Sequence, residues 1–279
     1  MIRLLVDSSA DYSSEELKTN NIMMVPLQIS INDNNYRDGI DIFKDEFYHK
    51  LVNENANFKT SQPSPNEYLK YFKEAKDNDD IIICILLSSA LSGTYQSAIL
   101  AKNIVEYEKI YIIDSLTATA AIRILCDEAL KMINENIDIN QIIKHLEELK
   151  KHIKILAAVD TLEYLLKGGR ISKTTATIGE MVNIKPIITV DNDGKVQIAG
   201  KKIGINKTIS FIVDKMISMK PNLKYPVYSL FTYGNENVLK LENKLISKDY
   251  KVNDRLQIGP TIGTHIGPEA YGVVFVEEY

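Results

Sequence analysis

Tryptophan is absent from the 279 residues, and there are only two cysteines and four histidines. Two cysteines cannot build the disulfide framework of a small secreted domain. Cys84 lies in the apolar run Ile81–Leu87 and Cys126 in a helix-like stretch. Both read as reduced core residues, with a single disulfide as the alternative. No Cys/His set has metal-ligand spacing, and there is no Walker loop, no Gly-x-Gly-x-x-Gly and no Gly-x-Ser-x-Gly elbow. No uninterrupted apolar run approaches the roughly 18 residues of a membrane span. Excess basic charge is missing too: 33 Lys and Arg against 37 Asp and Glu leave a net charge of −4. A general nucleic-acid surface needs the opposite balance, and no helix-turn-helix pattern is evident. The opening segment MIRLLVDSSAD meets acid too early for a signal peptide. The expectation is a cytoplasmic protein with no cofactor, no metal, no nucleic-acid partner and no stable membrane insertion.

What is present is a globular composition, 45% hydrophobic and 25% charged. Short β-branched runs alternate with helical patterns, which predicts a parallel sheet covered by helices. Strands are expected at Ile2–Val6, Ile81–Leu87 and Ile110–Ile113, and an extended stretch at Ile22–Ile31. Ser13 with Glu16, and Ser64-Pro65 with Glu67, have capping-box spacing and predict helix starts. The second half differs. Pro186–Val190 and Lys195–Ile203 flank Asp191-Asn192-Asp193-Gly194, a hairpin signal that implies a mixed sheet. The expected fold class is two-domain α/β: residues 1–155 with a parallel sheet and the binding loops, residues 156–279 with a mixed sheet.

Three loops concentrate hydroxyl groups and glycine. Thr60-Ser61-Gln62-Pro63-Ser64 precedes a helix. Ser88-Ser89-Ala90-Leu91-Ser92-Gly93-Thr94 joins a buried strand to a helix. Hydroxyls and free N–H groups at a helix start favour an anion, and open α/β sheets bind ligands at the carboxyl ends of their strands. Each hydroxyl can equally be a plain helix cap. The third loop runs from Ile258 to Pro268, with His265 among glycines that permit close backbone approach. His265 is either a ligand contact or a core histidine. His49, His145 and His152 read as solvated. Asp7-Ser8-Ser9 and Asp114-Ser115 end strands, as site edges or as helix-start signals.

These blocks resemble the DegV family of fatty-acid-binding proteins. The resemblance runs through Val6-Asp7-Ser8-Ser9-Ala10-Asp11, Thr60-Ser61-Gln62-Pro63-Ser64 and Leu91-Ser92-Gly93-Thr94-Tyr95-Gln96-Ser97-Ala98. It continues through Asp114-Ser115, then Leu162-Glu163-Tyr164-Leu165-Leu166-Lys167-Gly168-Gly169-Arg170-Ile171-Ser172, and ends at Ile262-Gly263-Thr264-His265-Ile266-Gly267-Pro268. It implies a DegV-like fold that buries a long-chain fatty acid. It implies that Thr60 and Ser92, with Ser61, Gly93 and His265 beside them, hold the carboxylate. It also implies a carrier role in phospholipid metabolism, with no catalysis of its own, for a separate fatty acid kinase that makes an acyl phosphate. Where the family usually has glycine after Gly-Pro, this chain has Glu269.

The alternative function is a hydrolase or acyl transferase using Ser92 with His265 as base; a hydrogen bond between the two would support it. Arg170 follows Gly168-Gly169 and is expected to point outward from a helix end. Lys167 and Lys173 lie around it, and Lys201, Lys202 and Lys207 form a later basic stretch. That face is either simply solvated or a docking patch for the kinase, in which Arg170 offers a bidentate fork.

Overall fold

The computed structural model describes residues 1–54, 56–172 and 183–279. In chain order the first half gives β1 (Ile2–Asp7), α1 (Ser14–Thr19), β2 (Ile22–Val25), β3 (Gln28–Ile31), β4 (Asn34–Arg37), α2 (Lys44–Asn53) and β5 (Phe58–Ser61). There follow α3 (Pro65–Asp77), β6 (Ile81–Leu86), α4 (Thr94–Val105), β7 (Ile110–Asp114), α5 (Ala120–Asn134) and α6 (Ile139–Leu149). The second half gives β8 (Ile153–Ala158), α7 (Glu163–Lys167), β9 (Ile184–Val190), β10 (Val196–Ile203), α8 (Ile205–Ser218) and β11 (Tyr228–Phe231). It ends with α9 (Glu236–Ile246), β12 (Asp254–Gln257), α10 (Pro260–Ile266) and β13 (Tyr271–Val276).

Consecutive buried residues mark strands covered on both faces. Leu4, Leu5 and Val6 of β1 and Ile82 to Leu86 of β6 are such runs. They occupy the centre of a parallel sheet ordered β2-β1-β6-β7. Helix α6 shows the complementary pattern, burying only Ile142, Leu146 and Leu149, spaced on one helical face. A second sheet, β10-β9-β8-β13-β11-β12, is mixed: only β11 and β12 run parallel. A small antiparallel sheet, β4-β3-β5, lies apart from both. The division expected after residue 155 falls inside β8. One apolar core joins the halves there, with Ile153, Ile155 and Ala157 packed in the same cluster as Ala121, Leu125 and Ala129 of α5.

Strand β9 pairs with β8 only at Ala157↔Ile188 and Ala158↔Ile187. Beyond that point the β9–β10 hairpin leaves the sheet and crosses to the first half. Its tip is held there by Ser88, whose buried hydroxyl donates to the Gly194 carbonyl at 2.8 Å. Gly194 has φ +76°, and a Cβ on it would come within 2.1 Å of Ser88 Oγ. Only glycine suits both constraints.

Three expectations change at this level, while the Ser13 capping box and the unpaired cysteines turn out as expected. Thr60 and Ser61 end β5, opposite Ile29 and Gln28, rather than forming a free loop before a helix. Ser64 does precede α3 with Pro65 in its first turn, yet no side-chain cap bond forms and the capping box is not made. The box at Ser13 and Glu16 is made, in both directions. The glycine-rich stretch Ile258–Pro268, expected as a loop, is mostly helix α10, which follows directly on β12. Its glycines serve packing: a Cβ on Gly263 would meet the Tyr48 hydroxyl at 2.4 Å, and one on Gly259 would meet Asp11 Oδ1 at 2.5 Å. Both cysteines are buried and unpaired.

Glu269 adopts φ +61°, the left-handed conformation that glycine holds without strain. A non-glycine residue there costs about 1–3 kcal/mol, while glycine costs about 0.5–1 kcal/mol in unfolded-chain entropy. Glu269→Gly should therefore stabilise the fold by about 1 kcal/mol. Urea unfolding with a raised midpoint and an unaltered slope is the expected result.

Candidate ligand site

A cavity lies between the two halves of the chain. Its walls are chiefly aliphatic, including Leu87, Leu91, Ile155, Ala157, Ile188 and Ile262. Both halves of the chain therefore build it. Thr60, Arg170 and His265 line this cavity and also line a wide, more polar groove open to solvent. They stand at its mouth.

His265 is carried by α10, and α10 is fixed at its start by two buried carboxylates. Asp38 Oδ2 accepts from the Thr261 N–H (3.3 Å), from the Thr261 hydroxyl and from the Ser8 hydroxyl (3.0 Å). Asp11 Oδ1 accepts from the Gly259 N–H at 2.9 Å. The Tyr48 hydroxyl donates to the Ile258 carbonyl at 2.9 Å. Burial is the main force pushing both acids up, Asp11 to about 7 and Asp38 to about 6. Lys44 opposes it at both, Arg123 opposes it at Asp11, and the charge of Asp38 adds to the rise at Asp11.

Helix α10 delivers His265 to Thr60: Nε2 and Oγ1 are 2.7 Å apart. The ring is 9% exposed, and its Nδ1 is buried without a hydrogen-bond partner. Burial, and then the charge of Arg170, push the imidazole down to about 4, so it is neutral at physiological pH. The tautomer decides which of the two donates in the Nε2–Oγ1 hydrogen bond; with the proton on Nε2, the threonine hydroxyl keeps its own proton for a ligand. Gly168 permits this packing, since a Cβ there would lie 2.1 Å from Nδ1.

Arg170 does not point outward. Helix α7 ends in a Schellman turn, with Gly169 at φ +70°, Gly169 N–H donating to Leu166 O and Arg170 N–H to Leu165 O. The turn folds Arg170 back. Its Nε donates to the Leu91 carbonyl at 3.0 Å and its Nη1 to the Gly168 carbonyl. The guanidinium is half-buried, which lowers its pKa through desolvation, and no carboxylate among the described residues pairs with it. Lys173 lies outside the described residues.

Ser92 lines the cavity, with its Oγ 2.8 Å from Thr94 Oγ1. It also accepts from the Thr94 N–H at 3.3 Å, so it caps α4 as well. Ser92 and His265 are not hydrogen-bonded to each other: the ring engages Thr60, and no acid orients Nδ1. The dyad that a hydrolase would need is not assembled. Ser61 is exposed, on the opposite face of β5 from Thr60, as strand alternation requires. Gly93 sits at the start of α4 outside the cavity wall. Asp7 and Asp114 are structural, accepting from Leu87 N–H (2.7 Å) and Ser89 N–H (3.1 Å). The sequence reading missed Thr119 and Thr261, both in the wall. Thr119 follows Asp114-Ser115-Leu116-Thr117-Ala118, a hydroxyl-bearing loop at a strand's carboxyl end, the same signal that singled out Ser92.

The description "Uncharacterised protein, DegV family" fits residues 1–278. The chain belongs to the DegV family. A DegV domain-containing protein of Caldanaerobacter subterraneus subsp. tengcongensis is 35% identical over 279 residues, covering 99% of each chain. Two solved structures superpose over nearly the whole length. One, from Thermus thermophilus, is described as fatty acid binding of a DegV family protein; it is 27% identical, covers 99% of each chain and gives a TM-score of 0.89. The other, a stearic acid-binding protein from Eubacterium ventriosum, is 27% identical, covers 99% of this chain and 98% of its own, and gives 0.90. Among the described residues no helix is long and apolar enough to cross a membrane.

The buried acids and the histidine predict opposite pH responses. His265 falls from 6.5 to about 4 on folding, so its contribution is complete above pH 6.5 and fades as pH drops toward 4. Asp11 rises from 3.8 to about 7, so its contribution is complete below pH 3.8 and fades as pH climbs to 7. Asp11→Asn keeps an acceptor for Gly259 and removes the titration. Its melting temperature relative to the parent protein should rise steadily from pH 4 to pH 8. A flat difference across that window would place the Asp11 pKa near its ordinary value.

Proposed function

We propose that this chain binds a long-chain fatty acid in the apolar cavity, with its carboxylate at the mouth, and presents it in the cytoplasm to a separate fatty acid kinase. The reading rests on one observation above all: an aliphatic cavity whose mouth gathers Thr60, His265 and an Arg170 that no carboxylate pairs among the described residues, beside an open groove. The two solved relatives described as fatty-acid binders, each near 0.9 in TM-score, support it. The chemistry divides the work. Burying about 14 methylenes contributes on the order of 11 kcal/mol. Each hydrogen bond to a charged carboxylate adds about 1.5–3 kcal/mol. The tail sets affinity; the hydroxyls of Thr60 and Ser92 set orientation. The neutral His265 holds the Thr60 hydroxyl in place, and Arg170, with no carboxylate partner among the described residues, supplies positive charge.

Denaturing extraction of the purified protein followed by mass spectrometry should release a fatty acid, and added acid should raise the melting temperature. Failure of both would end the carrier reading. Thr60→Ala and Ser92→Ala should each weaken acid binding by about 1–3 kcal/mol. Together they should erase discrimination between the acid and the corresponding fatty alcohol. Preserved discrimination in the double variant would move the head group elsewhere.

Arg170 faces the groove through which a kinase must reach the carboxylate. Arg170→Ala should support much less acyl-phosphate formation while retaining the lipid, chiefly through slower association at low salt. Loss of the lipid itself would assign Arg170 to the carboxylate instead. Equal turnover at low and physiological salt would remove it from both roles.

A further inference from the structure

The cavity wall carries six polar side chains, and five of them are already engaged. Thr60 is bonded to His265, Ser92 to Thr94, Thr261 to Asp38, and Arg170 to two carbonyls. The sixth, Thr119, is 3% exposed, and its Oγ1 is buried with no hydrogen-bond partner. Such an orphan hydroxyl in a natural interior calls for an explanation.

Thr119 is the N-cap of α5, a 15-residue helix. Its backbone is committed: the N–H donates to Ser9 O at 3.0 Å, and the carbonyl accepts from Ile122 N–H at 2.9 Å. Its side chain makes no cap bond. The first two amides of the helix, those of Ala120 and Ala121, find no acceptor among the described residues, and both residues are buried. Water cannot serve them at that depth as it serves an exposed helix start. A wall hydroxyl that can donate or accept is thus left without a partner at the start of a long helix. The complementary group is an oxygen atom carried by the ligand.

We infer that the Thr119 hydroxyl, at the start of α5, forms a second polar anchor in the cavity, which binds an oxygen function, hydroxyl or oxo, on the chain of an oxygenated fatty acid. The anchor deepens the fatty-acid reading and rests on it. A plain aliphatic wall would penalise a hydroxylated tail, because burying an unpartnered hydroxyl costs a factor of roughly 5 to 150 in affinity. The anchor cancels that penalty at one position along the chain and nowhere else, so it reads the place of the oxygen as well as its presence.

The test is competition binding of stearic acid and the positional series of monohydroxystearic acids against a fluorescent 18-carbon polyene acid. Thr119→Val preserves shape and β-branching, hence the same backbone preference, and deletes the hydroxyl. Thr119→Ser restores it. In the parent protein one isomer, or two adjacent ones, should bind as well as stearic acid or better, while the others bind at least fivefold worse. In Thr119→Val the ratio of that isomer's affinity to stearic acid's should fall at least fivefold, and Thr119→Ser should recover it. Melting curves and circular dichroism confirm that the variants fold. If every isomer is disfavoured equally in the parent and in Thr119→Val, Thr119 holds only water and the anchor is wrong. If the parent selects a hydroxy isomer through Thr119 but ignores stearic acid, the anchor stands and the unsubstituted acid is not the ligand. If it binds none of them, both readings fall.

Discussion

Two buried carboxylates on the first half of the chain hold the start of a short helix from the second half, and the cavity mouth depends on that attachment. Asp38 and Asp11 take the hydrogen bonds of Thr261 and Gly259, which fixes the axis of α10. That axis points His265 at Thr60 across 205 residues of sequence. It also sets Ile262 and Ile266 into the cavity wall on one side of the helix. A seven-residue helix has almost no stability of its own. Its position is therefore borrowed from the acids beneath it, and their desolvation is the cost of that arrangement. Lys44, whose ammonium donates to the Asp11 carbonyl, and Arg123 limit that cost.

The same logic explains why the cavity is shared between the halves. A sheet edge or a helix alone cannot enclose a long flexible tail. Here β9 abandons β8 after two register pairs, and the departing hairpin becomes a wall. Its tip closes on Ser88, so the contact that completes the cavity also joins the two sheets. Occupying such a space would tie the halves together, because any tail buried there removes apolar surface of both from water at once.

Much of this was legible in residues alone. Runs such as Ile81–Leu87 can only be central strands, Asp191-Asn192-Asp193-Gly194 can hardly be anything but a hairpin tip, and Ser13 with Glu16 starts a helix by hydrogen-bond geometry local to four residues. Thr60, Ser92 and His265 were found because hydroxyls beside strand and helix ends have a chemical meaning that survives without coordinates. What failed depended on partners distant in sequence. The glycines of α10 looked like loop residues because their real neighbours, Tyr48 and Asp11, lie more than two hundred positions away. Ser61 was grouped with Thr60 because adjacency in a list conceals that a strand sends the two to opposite faces. Arg170 was read as outward because Gly168-Gly169 signals a helix end without telling which way the Schellman turn delivers the next side chain. Thr119 escaped notice because a threonine becomes unusual only once every candidate partner is seen to be missing.

The placement of polar groups bears on what chemistry the cavity mouth favours. A hydrolase must aim a nucleophile and a base at one carbon, give the base an orienting partner and place donors where an oxyanion will form. In this chain Ser92 is turned to Thr94, and the only buried histidine is bonded to Thr60. Its other nitrogen meets no acid among the described residues, and burial makes the ring a weak proton acceptor. On the proposed reading those features suit holding an anion still. A neutral imidazole does not draw the carboxylate into an ion pair that would have to be broken later. A threonine whose hydroxyl is aimed by that imidazole fixes direction with a modest hydrogen bond. The arginine borders the open groove, with no carboxylate partner among the described residues, and so places positive charge at the mouth of the cavity.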